Sequence, residues 1–146
     1  MRKCQSNEHA FDVVTEESAY WIGVLMTDGN ICFKKGKNGR IMGHVISLAL
    51  QERDLMHLQA FQRFIGSSHR LYHRVNYKTI VPSKSYELSF SSPKMASTLV
   101  SYGFVPKKSK VAKVQLLEDN RNFWRGAIDG DGTISIDSLG RPCRQF

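Results

Sequence analysis

The chain has 146 residues, 41% hydrophobic and 23% charged, enough for one globular domain with a real core and unlike the composition of a disordered segment. Its net charge of +8, with a pI near 9.6, favours a polyanionic partner. The longest apolar run, "AYWIGVLM" at 19–26, is far short of the roughly twenty residues of a membrane span, and three scattered cysteines with no CxxC pair make neither a zinc nor a redox motif.

Residues 1–15 are polar and read as a lead-in that packs at most as a short extended segment. From Glu16 to about Asp28 the spacing predicts a helix with Tyr20, Gly23, Val24 and Thr27 on one face, Glu16 and Glu17 at its positive end and Gly29 as its C-terminal cap. Residues 30–51 read as a hairpin: a strand near 30–35, a glycine-rich basic turn, and a strand near 41–51 in which Ile46, Leu48 and Leu50 alternate with Ser47, Ala49 and Gln51. Asp54 is the expected N-cap of a second helix, running to Gly66, with Leu55, Leu58, Phe61 and Ile65 facing a core. Two strands follow, "HRLYHRV" at 69–75 and "SYELSFS" at 85–91; Glu87, Ser89 and Ser91 share the polar face of the second. Ser92 and Pro93 then open a third helix. The order helix, two strands, helix, two strands, helix makes the fold class α+β.

The stretch "AIDGDGTISID" at 127–137 looks like a calcium-binding loop but is not one. With Gly132 at the sixth position, the first and twelfth ligands would be Ala127 and Ser138, and both anchors are missing. An internal repeat explains it instead. "YWIGVLMTDGNI" at 20–31 aligns with "FWRGAIDGDGTI" at 123–134, pairing Trp21 with Trp124, Gly23 with Gly126, Asp28 with Asp131, Gly29 with Gly132 and Ile31 with Ile134. Each copy is an apolar helix whose inner glycine, Gly23 or Gly126, permits close approach of another backbone. Each ends on an aspartate at the negative end of its own dipole. Two such ends side by side call for a compensating cation, and oxygen ligands suit a divalent metal.

Both stretches resemble the LAGLIDADG motif of homing endonucleases, as does the element order, and "GFVPKKSK" resembles the connection that double-motif members carry before their second motif. The resemblance covers about residues 16–136. It implies an αββαββα unit with a curved antiparallel sheet at 16–118, after the lead-in at 1–15, and the start of a second, truncated unit at 119–146. It further implies two motif helices packed at a pseudo-twofold axis, sheets lying in the major groove of double-stranded DNA, and site-specific phosphodiester hydrolysis with Mg²⁺ or Mn²⁺.

Carried onto this chain, the resemblance makes Asp28 and Asp131 metal ligands and catalytic residues. Gln51 resembles a position that orients the attacking water. Lys108 is the expected charge-stabilising lysine, with Lys107 and Lys110 as competitors. Asp129 aligns with Met26, so it is expected to cap or to contact the partner unit and not to act in catalysis. The turn lysines Lys34 and Lys37 are expected at phosphates, Arg40, Arg74 and Lys78 at the DNA more generally, and Ser47, Gln51, Arg70, Glu87 and Ser89 at base edges. A full-length form is expected to be monomeric. The chain as it stands is expected to tend to self-associate, with pairing through residues 19–28 opposed by the second motif helix competing for that surface, to bind DNA weakly and largely non-specifically, and to make few or no double-strand cuts. The rival expectation is a non-cleaving binder such as an intron maturase or a regulator. The location expected is cytoplasmic, in a bacterium or phage, or organellar; secretion and membrane insertion are not expected.

Overall fold

A computed structural model describes the backbone of residues 4–104, 117–131, 133–136 and 142–145, and side chains up to Asp129. Helix α1 spans Glu16–Asp28. Its start is a capping box: the Thr15 hydroxyl accepts from the Ser18 backbone N–H at 3.0 Å, and the Ser18 hydroxyl accepts from the Thr15 N–H at 2.7 Å. Thr15→Ala should therefore destabilise the fold by about 1 kcal/mol, seen as a lower denaturant midpoint. An unchanged midpoint would mean that the cap is dispensable.

Gly29 follows α1 as expected, but not in the left-handed conformation of a terminal cap. Its φ is −78° and its ψ 165°, so the helix passes directly into strand β1, Gly29–Lys35. Glycine is needed for a different reason: a Cβ at this position would lie 2.6 Å from the Leu25 carbonyl oxygen.

Strand β1 turns through residues 36–40 into β2, Ile41–Gln51. A 3₁₀ turn, Glu52–Asp54, leads into α2, Leu55–Phe64. Asp54 occupies the N-cap position but makes no capping bond, because the chain is already wound before it and its backbone (φ −100°, ψ 18°) is not extended.

Strand β3 is Tyr72–Asn76, later than the sequence predicts. Residues 67–69 are held by the end of α2 instead: Gln62 Nε2 donates to the His69 carbonyl at 2.8 Å, and the Ser67 side chain bonds both His69 Nδ1 and its N–H. Strand β4, Ser83–Ser91, starts two residues early because Val75 and Asn76 pair with Lys84 and Ser83. Ser92 caps α3, Pro93–Ser101, and Asn120 caps α4, Arg121–Asp131, by accepting from the N–H groups of Asn122 and Phe123. Strands β5, Thr133–Ile136, and β6, Pro142–Gln145, form a separate antiparallel pair.

The four long strands make one antiparallel sheet in the order β1-β2-β4-β3. One face is apolar. Ile31, Ile46, Leu48, Leu50, Leu88 and Phe90 pack there with Trp21, Ile22 and Leu25 of α1, Leu58 and Phe61 of α2, and Met95 and Leu99 of α3. The 1–15 lead-in also contributes: Phe11 is fully buried, and the Tyr102 hydroxyl donates to its carbonyl at 3.2 Å. Among the described residues no helix is long and apolar enough to cross a membrane.

Candidate nucleic-acid interface and helix-end site

Helices α1 and α4 cross at their glycines. A Cβ on Gly23 would meet the Phe123 carbonyl oxygen at 2.1 Å and the Ala127 nitrogen at 2.7 Å; a Cβ on Gly126 would meet the Tyr20 oxygen at 1.9 Å and the Val24 nitrogen at 3.1 Å. In the repeat register, Phe123 is equivalent to Tyr20 and Ala127 to Val24. Each glycine thus faces the same two positions of the other helix, which is a local pseudo-twofold axis. The Tyr20 hydroxyl donates to Asp129 Oδ2 at 2.9 Å and lies 3.1 Å from His57 Nε2, while the Arg125 guanidinium sits 4.9 Å from the centre of the Tyr20 ring. Burial, and after it the Asp129 carboxylate, raises the Tyr20 pKa well above its ordinary value, so the hydroxyl stays a donor.

An open cavity of about 370 Å³ borders this crossing, lined by Tyr20, Val24, Asp28, Leu50, Asp54, His57 and Asp129. Asp28 is the last residue of α1 and Asp129 lies in the last turn of α4, so the negative ends of both helices border one opening. Asp131 closes α4, and its side chain is outside the described residues. Lys107, Lys108 and Lys110 are outside them as well. Gln51 is exposed at the end of β2; since Gly29 pairs with Leu48, Asp28 and Gln51 lie at the same end of the sheet.

The sheet's other face is open and polar. Directly opposed residues share a face, and the register places Asn30 opposite Ser47, Ser47 opposite Ser89, Ala49 opposite Glu87, Gln51 opposite Ser85, and Arg74 also opposite Ser85. Lys34 stands on the same face opposite Gly43. Glu87 is the one acid that the register places there, and Arg74 Nε pairs with it; the Arg74 side chain is 65% exposed and that of Glu87 18%. Arg74, Val75, Asn76, Lys78 and Ser85 line a shallow depression of about 490 Å³ at the sheet's end. Lys37 and Arg40 are exposed in the β1–β2 turn and Lys78 in the loop after β3. Arg70 is exposed but precedes β3, so its expected place within a strand is corrected to the coil before it.

No protein-family model matches the chain, and no curated protein matches it. Solved structures do. The chain superposes on the meganuclease I-SmaMI bound to uncleaveable DNA with a TM-score of 0.52 and 13% identity, over 80% of this chain and 58% of that one. Its fold is the LAGLIDADG homing-endonuclease fold. Two further structures are similar at a lower level: the LAGLIDADG meganuclease I-CpaMI bound to uncleaved DNA (TM-score 0.47, 14% identity, 91% and 68% covered) and mesophilic variants of the homing endonuclease I-DmoI (0.48, 16%, 87% and 66%). At these identities the likeness is one of fold. The chain spans 58% of the length of I-SmaMI.

Within the LAGLIDADG fold, the sequence reading missed His57, Asp54 and Arg125. Asp54 and His57 have no periodic signal, because they reach the site from other elements, whereas Arg125 lies on α4 itself, within the second motif copy. The available hints were two apolar-to-charged mismatches in the repeat, Met26 against Asp129 and Ile22 against Arg125.

Proposed function

We propose that the chain is a DNA endonuclease unit that hydrolyses phosphodiester bonds of duplex DNA at a specific site, with Asp28 and Asp131 holding a divalent ion, Mg²⁺ or Mn²⁺. The observation that supports this most is the glycine-to-glycine crossing, which brings the carboxylate-bearing end of α1 and the last turn of α4 to one opening. Oxygen donors at two negative helix ends suit a hard cation. When bound, such an ion neutralises charge developing on the phosphate and lowers the pKa of a water.

The chain's own residues do the rest. Gln51 orients the attacking water and Lys108 adds positive charge near the scissile phosphate. Lys34, Lys37, Arg40 and Lys78 hold the backbone, with Arg70 beside them. Ser47, Ser89 and the Arg74–Glu87 pair face the base edges in the major groove.

The test is nicking of supercoiled plasmid by the purified chain with Mg²⁺ or Mn²⁺, alongside duplex binding at several salt concentrations. Salt-dependent binding with metal-dependent nicking supports the reading; binding without nicking leaves the non-cleaving binder. Replacing both Lys34 and Lys37 by alanine should weaken binding to all sequences alike and reduce the log–log salt slope by roughly 1.8, two phosphate contacts' worth. An unchanged slope would place Lys34 and Lys37 away from DNA.

A further inference from the structure

Strand β3 carries its hairpin past the end of the main sheet. Ser85 pairs with Gln51, and two rungs further out Ser83 pairs with Asn76, so the β3–β4 loop, residues 77–82, projects beyond the end where Asp28 and Gln51 lie. Tyr77 and Val81 in this loop are each 77% exposed, and Ile80 is fully exposed. Apolar side chains exposed one at a time are ordinary, but three within five residues at one loop tip form a patch. Folding does not call for them, since none is part of the core.

The loop is held in shape from within. Asn76 Oδ1 accepts from the Lys78 N–H at 3.0 Å, the Thr79 hydroxyl donates to the Val81 carbonyl at 2.6 Å, and Pro82 restricts the residue before it. Charge around the tip is of one sign: residues 74–84 contain Arg74, Lys78 and Lys84 and no acid. Arg74 is engaged by Glu87, which leaves the exposed Lys78 and Lys84 for other anions. Arg74, Asn76, Lys78 and Ser85 line one depression, so the loop is continuous with the polar face of the sheet.

We propose that this loop is an apolar wedge for duplex DNA: Ile80, flanked by Tyr77 and Val81, enters a base step at the Asp28 end of the sheet, while Lys78 and Lys84 meet the phosphates beside it. Separating a base step costs stacking energy, and apolar side chains leaving water offset that cost. A loop already held in shape loses little freedom on insertion. A lipid surface or a second chain would also cover apolar residues, but continuity with a polar sheet face favours DNA. The proposal rests on duplex binding by this chain and involves neither cleavage nor metal.

The test titrates the whole chain on mixed-sequence duplex at several salt concentrations in EDTA. Ile80→Ser with Val81→Ser should bind about tenfold more weakly at an unchanged salt slope, because apolar contacts release no counterions. Ile80→Leu with Val81→Leu should match the wild type. Lys78→Ala with Lys84→Ala should instead lower the log–log slope by roughly 1.8. A wedge between base pairs also unwinds the helix. At matched occupancy, closed circular plasmid relaxed by a type I topoisomerase should therefore keep a lower linking number with the wild type than with the serine pair.

A serine pair that binds as tightly as the wild type, or unwinds DNA equally at matched occupancy, overturns the wedge and leaves duplex binding standing. An unchanged slope in the lysine pair overturns it too. A wild type that binds no duplex overturns both the wedge and the proposed function. If the serine pair keeps its duplex affinity but loses binding to anionic-lipid vesicles or loses self-association, the loop serves a membrane or a second chain and the wedge is overturned. Thermal melts of all variants should coincide with the wild type's; a serine pair that unfolds would contradict a tip standing clear of the core and overturn the proposal.

Discussion

Gly126→Ala should destabilise the chain by roughly 3 kcal/mol or more, the largest effect expected of any single methyl group added to this molecule. Two effects of opposite sign compete at this position. In the middle of a helix, alanine is favoured over glycine by about 1 kcal/mol, so the same substitution in open surroundings would stabilise α4. Here the added Cβ would sit 1.9 Å from the Tyr20 carbonyl oxygen and 2.8 Å from its carbonyl carbon, both of them backbone atoms. Neither atom can rotate away, so the helices must separate and lose the packing of Phe123 and Ala127 against α1. Overpacking outweighs propensity. Gly23→Ala meets the mirror-image obstacle, the Phe123 oxygen at 2.1 Å, and should behave alike. Denaturant midpoints decide the sign: a stabilised Gly126→Ala would mean that α4 is not held against α1 in solution.

Asp28→Asn should lower metal-dependent nicking by roughly a hundredfold or more while leaving duplex affinity within about threefold of the wild type. In the proposed function, binding rests on the polar sheet face and on the basic residues around it, none of which the substitution touches. Carboxylate and amide are nearly isosteric, so the fold should be retained. A nicking rate that survives in both Asp28→Asn and Asp131→Asn would remove the metal-site assignment and leave the fold intact.

How much of this was legible beforehand follows from which interactions are local. Helix α1, strand β2 and helix α3 were readable because their signals lie within a few residues: the Glu16–Glu17 start, the Ile46–Leu48–Leu50 alternation, and Ser92 before Pro93. Gly23 and Gly126 could be singled out only because the helix occurs twice. The start of β3 was misread since Gln62, on α2, captures the His69 carbonyl that a ladder would otherwise use. Gly29 was placed correctly for the wrong reason, its neighbour being Leu25 and not a left-handed turn. The Tyr20–His57–Asp129 contact joins residues 37 and 109 positions apart, and no pattern in one sequence encodes such a meeting.

The most direct measurement is Mn²⁺ binding followed by electron paramagnetic resonance, for the chain mixed with duplex DNA, the chain alone and the DNA alone. The expected result is ion uptake by the mixture that exceeds the sum of its parts and that Asp28→Asn weakens about tenfold or more, with DNA affinity unchanged. Uptake by the mixture equal to that sum, or unaffected by Asp28→Asn, would contradict a metal held between these helix ends and DNA.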